Sequence, residues 1–470
     1  MKRRITKRKK QILNTTMTTT QKIQKRLNDS TAMRWTALGV VAFTMMAAYF
    51  VNDVVAPLKN MLESDLGWNS TEFGFFTGAY SFLNVFLLML IWGGFILDKF
   101  GVRFTGKLAA ILMVLGTAME FYALECMGDS TGTILGYKTS VAVASAGYAI
   151  FGVGAEVAGI TVTKIIAKWF KGKEMATAMG VQVALARIGS QAAYSVAIPV
   201  ARSFGLSMPV LIGLVLLAGG LIAFFIFSIM DKKLDKQVSE EPSIDDDEEK
   251  FSFADVKSIL TNNGFWLIAL LCVLFYSCVF PFQKFATELL VNKYSISESL
   301  AGTVVGLPAL GALILTPIFG GIVDKKGKGA SIMLLGAAML IFVHAIYAVP
   351  MITSSWIAII LMLILGIAFS LVPSAMWPAV AKIFPSHQLG TAYALIFFIQ
   401  NIGLWGVPNL IGMILDNFCV TGTVGDTKMY DYTLPEITFT GIAVLSLIIA
   451  FMLKKVDKKK GYGLEESNIK

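Results

Sequence analysis

Long apolar runs, each near the length of a membrane crossing, alternate with short polar stretches along this chain. A bilayer core about 30 Å thick needs about 20 apolar residues per helix. On that spacing the pattern predicts helices near 36–58, 73–97, 106–126, 139–167, 174–200, 208–230, 263–285, 299–323, 330–350, 355–381, 389–415 and 435–454. The longest polar break, 231–262, contains the acidic run Asp245-Asp246-Asp247-Glu248-Glu249 and divides six predicted spans from six. It reads as a solvated linker. The chain is therefore expected to hold a basic segment 1–34, a six-helix bundle 35–230, that linker, a second six-helix bundle 263–454 and a tail 455–470.

Sequence repetition supports the division. Gly94-Phe95-Ile96-Leu97-Asp98-Lys99-Phe100-Gly101 returns as Gly320-Gly321-Ile322-Val323-Asp324-Lys325-Lys326-Gly327, with Gly, Asp, Lys and Gly in register. Lys168-Trp169-Phe170 with Ala176-Thr177-Ala178 returns as Lys382-Ile383-Phe384 with Gly390-Thr391-Ala392. Two echoes at corresponding places predict an all-α membrane protein of two pseudo-symmetric bundles.

Composition sharpens this. Hydrophobic residues make up 56% and charged residues 15%, whereas soluble domains carry about a quarter charged residues. The net charge of +9 does not point to nucleic acid, because the basic residues gather in short loops and form no continuous basic face. Of 40 Lys and Arg residues, the predicted outer loops hold Lys59, Lys138, Arg202, Lys293 and Lys428, while Lys164, Arg187 and Lys284 fall within or beside spans. The rest lie on the opposite side, which places both termini in the cytoplasm. No signal peptide is expected before the first span. The cysteines Cys126, Cys272, Cys278 and Cys419 lack metal-ligand spacing and read as packing residues. Neither a phosphate-cradling glycine loop nor a nucleophile with its base is evident, so no cofactor, ATP-driven step or enzymatic chemistry is expected.

Charged groups at bilayer depth need a partner or a water-filled cavity. Glu156 and Arg187 fall on neighbouring antiparallel spans, each about 16–20 Å from the cytoplasmic ends at 1.5 Å per residue. Such a pair complements a zwitterion, Arg gripping a carboxylate and Glu an ammonium; it could equally be a salt bridge satisfying both charges. Under the second repeat, Arg187 maps to Asn401 and Glu156 to Ser370, so the second bundle offers neutral polar groups. Tyr393, Asn401 and Trp377 are expected around the middle of the substrate, with Gln182 facing the same space. Asp53 is placed near the outer end of its span as a cap or gate contact. Lys284 and Lys164 are expected to snorkel to the interfaces, and His344 to lack a carboxylate neighbour.

The loop Gly94-x3-Asp98-Lys99-x-Gly101-x-Arg103 resembles the signature loop of the major facilitator superfamily, with Asp324 in its degenerate partner. Phe151-Gly152-Val153-Gly154-Ala155-Glu156, Ala186-Arg187-Ile188-Gly189-Ser190, Val279-Phe280-Pro281-Phe282, Met376-Trp377-Pro378 and the stretch His387 to Gln400-Asn401 are similar to the lysosomal dipeptide transporter group. That resemblance implies twelve helices, alternating access without ATP, a gating role for the loop, and Glu156 and Arg187 reading the amino and carboxylate ends of a dipeptide. It also implies an accessory glycoprotein, for which no docking motif is visible. With Glu156 committed to substrate, facilitated uniport is favoured over proton symport. No acidic dileucine signal stands in the basic N-terminus, so the expectation is a bacterial cytoplasmic membrane, with a lysosomal membrane second. A carrier of organic anions, or a receptor that keeps a transporter fold, are the alternatives.

Overall fold

The computed structural model describes residues 27–128, 130–238, 253–424 and 427–467. The acidic run at 245–249 and the basic stretch up to residue 26 lie outside them. The first helix, α1, is Thr31–Val54; a short helix α2, Lys59–Leu66, follows after Pro57. Helix α3, Ser70–Phe86, starts from a reciprocal cap in which Asn69 and Glu72 each satisfy the other's backbone N–H. The next elements are α4 (Met89–Cys126), the hairpin β1–β2 (Thr133–Ile134 and Tyr137–Lys138), α5 (Thr139–Phe170), α6 (Met175–Phe204) and α7 (Met208–Val238). The second set comprises α8 (Phe253–Leu260), α9 (Asn263–Tyr294), α10 (Glu298–Lys326), α11 (Gly329–Ala348), α12 (Ser355–Ile383), α13 (Ser386–Phe418) and α14 (Thr433–Lys460). A hairpin of β3 (Val420–Val424) and β4 (Thr427–Tyr430) joins α13 to α14. Both hairpins were unforeseen; their strands are only two to five residues long.

Ten helices among the described residues are long and apolar enough to cross a membrane. Two predicted spans escape that count for physical reasons. The second is interrupted at Leu88, whose φ of 53° breaks α3 from α4, and the stretch beyond runs into the third span through a kink at Gly101 (φ 73°). The fifth, on α6, carries Gln182, Arg187, Gln191 and Arg202 and is too polar. Gly101 supplies a left-handed turn that a side chain would resist, which explains the second glycine of the signature loop.

Helices α1 and α3–α7 pack among themselves, and α9–α14 do likewise. The two sets meet along α3 against α13 and along α6 against α10. Glycines allow these approaches: a Cβ at Gly74 would strike the backbone of Pro408, and one at Gly412 the backbone of Ser70. Gly302 on α10 presses on the Tyr194 carbonyl of α6 in the same way.

Tertiary packing alters several expectations drawn from the sequence. Lys164 gains a partner that the sequence did not show: its Nζ lies 3.1 Å from Asp98 of the signature loop. Arg103 of that loop reaches Asp235 at 3.1 Å, where Lys168 and Asp231 complete a cluster between α4, α5 and α7. His344 has a carboxylate neighbour after all, Glu436 of α14, 2.8 Å from its Nδ1, while its Nε2 faces the Cys278 carbonyl at 3.1 Å. No linear spacing relates α11 to α14, so that pair is invisible before folding. Three of the four cysteines are buried, but Cys126 is exposed and does not pack.

Candidate functional site

A cavity of about 740 Å³ lies between the two sets of helices, lined from α1, α3, α4, α5 and α6 on one side and α9, α12 and α13 on the other. Glu156, Arg187, Gln182, Trp377, Tyr393 and Asn401 all line it. Ser370 does not: it is fully buried and its Oγ donates to the Gly366 carbonyl at 2.7 Å within α12. The repeat thus finds a cavity-lining mate for Arg187 in Asn401 but not for Glu156, whose counterpart Ser370 bonds back to its own helix and is turned away from the cavity.

Local sequence explains how the two charges are held. A Cβ at Gly152 would strike the Tyr80 carbonyl, so α5 and α3 touch there and bring the Tyr80 hydroxyl to Glu156. That hydroxyl donates to Glu156 Oε1 at 3.1 Å. On α6, a Cβ at Gly189 would strike the Met46 carbonyl, which seats α6 against α1 and leaves Arg187 beside Tyr49. The guanidinium lies 4.8 Å from the Phe369 ring centroid and 5.6 Å from that of Tyr49. Cation–π contacts of this kind steady a guanidinium without using its N–H groups.

Glu156 and Arg187 do not pair with each other, and no described carboxylate lies within 4.0 Å of Arg187. The salt-bridge alternative is therefore not realised in this conformation. The cavity presents one unmatched carboxylate, already oriented by Tyr80, and one unmatched guanidinium held between two rings. A ligand with an ammonium and a carboxylate would satisfy both.

The second set supplies a wall. Trp377 stacks with Phe397 at 4.9 Å and tilts against Tyr393 at 5.9 Å. The Tyr393 hydroxyl donates to the Trp377 carbonyl at 3.1 Å. Asn401 donates to the Phe397 carbonyl at 3.0 Å, while its buried Oδ1 has no hydrogen-bond partner among the described residues.

Sequence reasoning missed Tyr49, Tyr80 and Phe369, because aromatics at helical spacing look like core until a charge is found beside them. It also misplaced Lys284, which lines the cavity and lies 2.9 Å from Asp53 across the seam between the sets. Glu120 on α4 passed unremarked; it is fully buried, and neither carboxylate oxygen has a hydrogen-bond partner among the described residues.

A central cavity enclosed by membrane-length helices, with unmatched polar groups at its wall, defines a carrier for small solutes. Residues 41–408 match the Major Facilitator Superfamily, and the chain belongs to that family of transporters. Lysosomal dipeptide transporter MFSD1 of Homo sapiens is 29% identical over 450 residues, covering 93% of this chain and 89% of the relative. Lysosomal dipeptide transporter MFSD1 of Gallus gallus is 31% identical over 373 residues, covering 77% and 80%. These relatives are lysosomal by name and lend no support to the expected bacterial cytoplasmic membrane. The fold is shared with a mutant of the nucleoside transporter NupG, at TM-score 0.69 and 14% identity over 89% of this chain and 99% of that one. It is shared too with a bacterial homolog to human lysosomal transporter Spinster in an inward-facing and occupied conformation, at TM-score 0.68 and 14% identity over 92% and 98%.

Proposed function

We propose that the protein moves dipeptides across a membrane by alternating access, with Glu156 taking the substrate's amino group and Arg187 its carboxylate. The observation that carries this reading is the pair of opposite charges facing one cavity of about 740 Å³ without partnering each other. Trp377, Tyr393 and Asn401 flank the middle of the substrate, and Gln182 contributes from α6. The names of the relatives matching most of the chain favour dipeptides over other zwitterions.

The same reading counts twelve spans in two bundles, 35–230 and 263–454, joined by the linker. It takes α3 with the start of α4 as the second span, the remainder of α4 as the third, and α6 as the fifth. Both termini then lie in the cytoplasm, the side favoured by the Lys and Arg bias. Asp98, Arg103 and the glycines Gly94 and Gly101 form a cytoplasmic gating loop, with Asp324 at the equivalent place in the second bundle.

A thermal-shift series with free, N-acetylated and C-amidated dipeptides tests the assignment. Each block removes one charge-assisted contact, an expected loss of about 1.5–3 kcal/mol or roughly 10–150-fold in affinity. Equal stabilisation by free and blocked peptides would remove the reading.

A further inference from the structure

Beyond α14 the chain turns back across the end of the second set. Gly461 and Gly463, at φ 71° and 75°, take it off the helix through a left-handed backbone that side chains resist. Leu464 is then 2% exposed. The N–H groups of Lys328 and Gly329 donate to the carbonyls of Glu465 and Leu464 at 3.0 and 2.9 Å, and the Ser331 N–H and hydroxyl donate to the Glu465 carboxylate at 2.7 and 2.9 Å. Added Cβ atoms at Gly327 and Gly329 would strike the same two carbonyls. Lys382, near the end of α12, donates to the carbonyls of Gly463 and Glu466 at 2.8 and 2.7 Å, and Tyr462 donates to Asn262, the cap of α9, at 3.2 Å.

The first set shows what this segment replaces. There Arg103, Lys168, Asp231 and Asp235 form one ion cluster. Carried through the repeat, those positions become Gly329, Lys382, Asp457 and Gly461, so the second set keeps one cation and one anion of the four charges. Both find their partners in the returning segment: Lys382 in its carbonyls, and Asp457 in the Leu464 N–H at 3.0 Å. Backbone groups of the segment do here what charged side chains do in the first set.

The segment also lies behind the cavity wall. Leu464 seats against Val323 and against Ala375, Pro378, Ala379 and Lys382 of α12. Trp377, from the same stretch of α12, lines the central cavity and stacks with Phe397 at 4.9 Å. Pro373 and Pro378 each withhold a backbone N–H from this helix, so packing from outside carries more of its placement. A side chain facing a cavity is held in position by what packs behind it.

We infer that residues 462–467 are a strap that positions the Trp377 wall of the cavity from behind. Lifting the strap lets the end of α12 relax, and Trp377 shifts against Phe397 and Tyr393 while the first set keeps its structure. The inference rests on the carrier reading but needs no particular substrate.

Fluorine resonance of the full chain, grown with 5-fluorotryptophan and held in lipid nanodiscs, tests it. The chain has eight tryptophans, and Trp377→Phe assigns the signal of interest. Leu464→Asp places a charge in the apolar seat and should release the strap; a chain ending at Gly461 removes it outright. In both variants the Trp377 resonance should shift and broaden, while those of Trp35, Trp68, Trp92 and Trp169 in the first set stay where they are. Leu464→Met keeps the seat filled and should keep the parent spectrum. An unmoved Trp377 resonance in either variant would overturn the inference. So would movement of all eight resonances, or loss of folding in both variants, since the segment would then support the whole fold and not one wall. Because no substrate is added, the result is separate from that of the peptide-binding series.

Discussion

The seam holds two kinds of charge, one pair buried and one only half-buried at the cavity wall. Asp53 and Lys284 face each other at 2.9 Å, each the other's solvent. Glu156 and Arg187 share the same cavity yet do not pair, and are steadied by Tyr80 and by two aromatic rings. What separates the two pairs is whether the protein supplies the counter-ion: where it does, the pair holds helices together, and where it does not, the cavity retains an affinity to be met from outside.

The largest effect expected from this contrast is on stability. Asp53→Asn strands Lys284 and should destabilise the fold by about 3–5 kcal/mol, with recovery in the Asp53→Asn, Lys284→Met double variant. Arg187→Met should leave thermal stability near that of the parent, because no protein carboxylate loses its mate. Equal destabilisation by the two single changes, read by thermal unfolding in detergent, would break the distinction.

Next in size is affinity. Arg187→Met should weaken dipeptide binding by about 2–5 kcal/mol, or about 30-fold and more, in isothermal titration. Glu156→Gln should bind N-acetylated dipeptides better than free ones, reversing the parent's order. Tyr80→Phe removes one hydrogen bond to Glu156 and should cost about 0.5–1.5 kcal/mol, roughly 2–13-fold in affinity, for free peptides alone. A similar loss for N-acetylated peptides would mean that Tyr80 shapes the wall and does not orient the carboxylate.

The smallest effect is expected at a pair joining α1 to the start of α6, in which Arg34 is buried and Glu174 is exposed. Arg34 grips Glu174 through Nε at 3.0 Å and Nη2 at 2.8 Å, and these hydrogen bonds lower the Glu174 carboxyl below its ordinary range. A depressed carboxylate contributes stability above its unfolded pKa and loses it as pH falls through the folded value. The melting difference between the parent and Glu174→Gln should therefore be present at neutral pH and vanish in acid. A difference independent of pH would place the contribution elsewhere.

Much of the architecture was legible because it depends on the length and polarity of contiguous runs. The predicted spans near 139–167 and 263–285 fall within α5 and α9, and the charges at Glu156 and Arg187 were conspicuous against apolar neighbours. Side-chain register between helices was not legible. Lys284 looked like a residue reaching for the interface until α1 was set beside α9, and Glu436 was out of reach of His344 until α14 folded against α11. Ser370 failed because the repeat preserves the order of helices while α12 turns that position into its own backbone. Tyr80 and Phe369 carried no local signal at all, since an aromatic beside a charge differs from one in the core only in three dimensions.

The central claim, that Glu156 and Arg187 are complementary to the ligand and not to each other, is tested most directly by flux. Glu156→Gln with Arg187→Met, confirmed as folded and reconstituted in proteoliposomes beside the parent, strands no charge and so removes stability as an explanation. The account predicts that this variant loses dipeptide flux while keeping the parent's melting behaviour; dipeptide flux near that of the parent would contradict it.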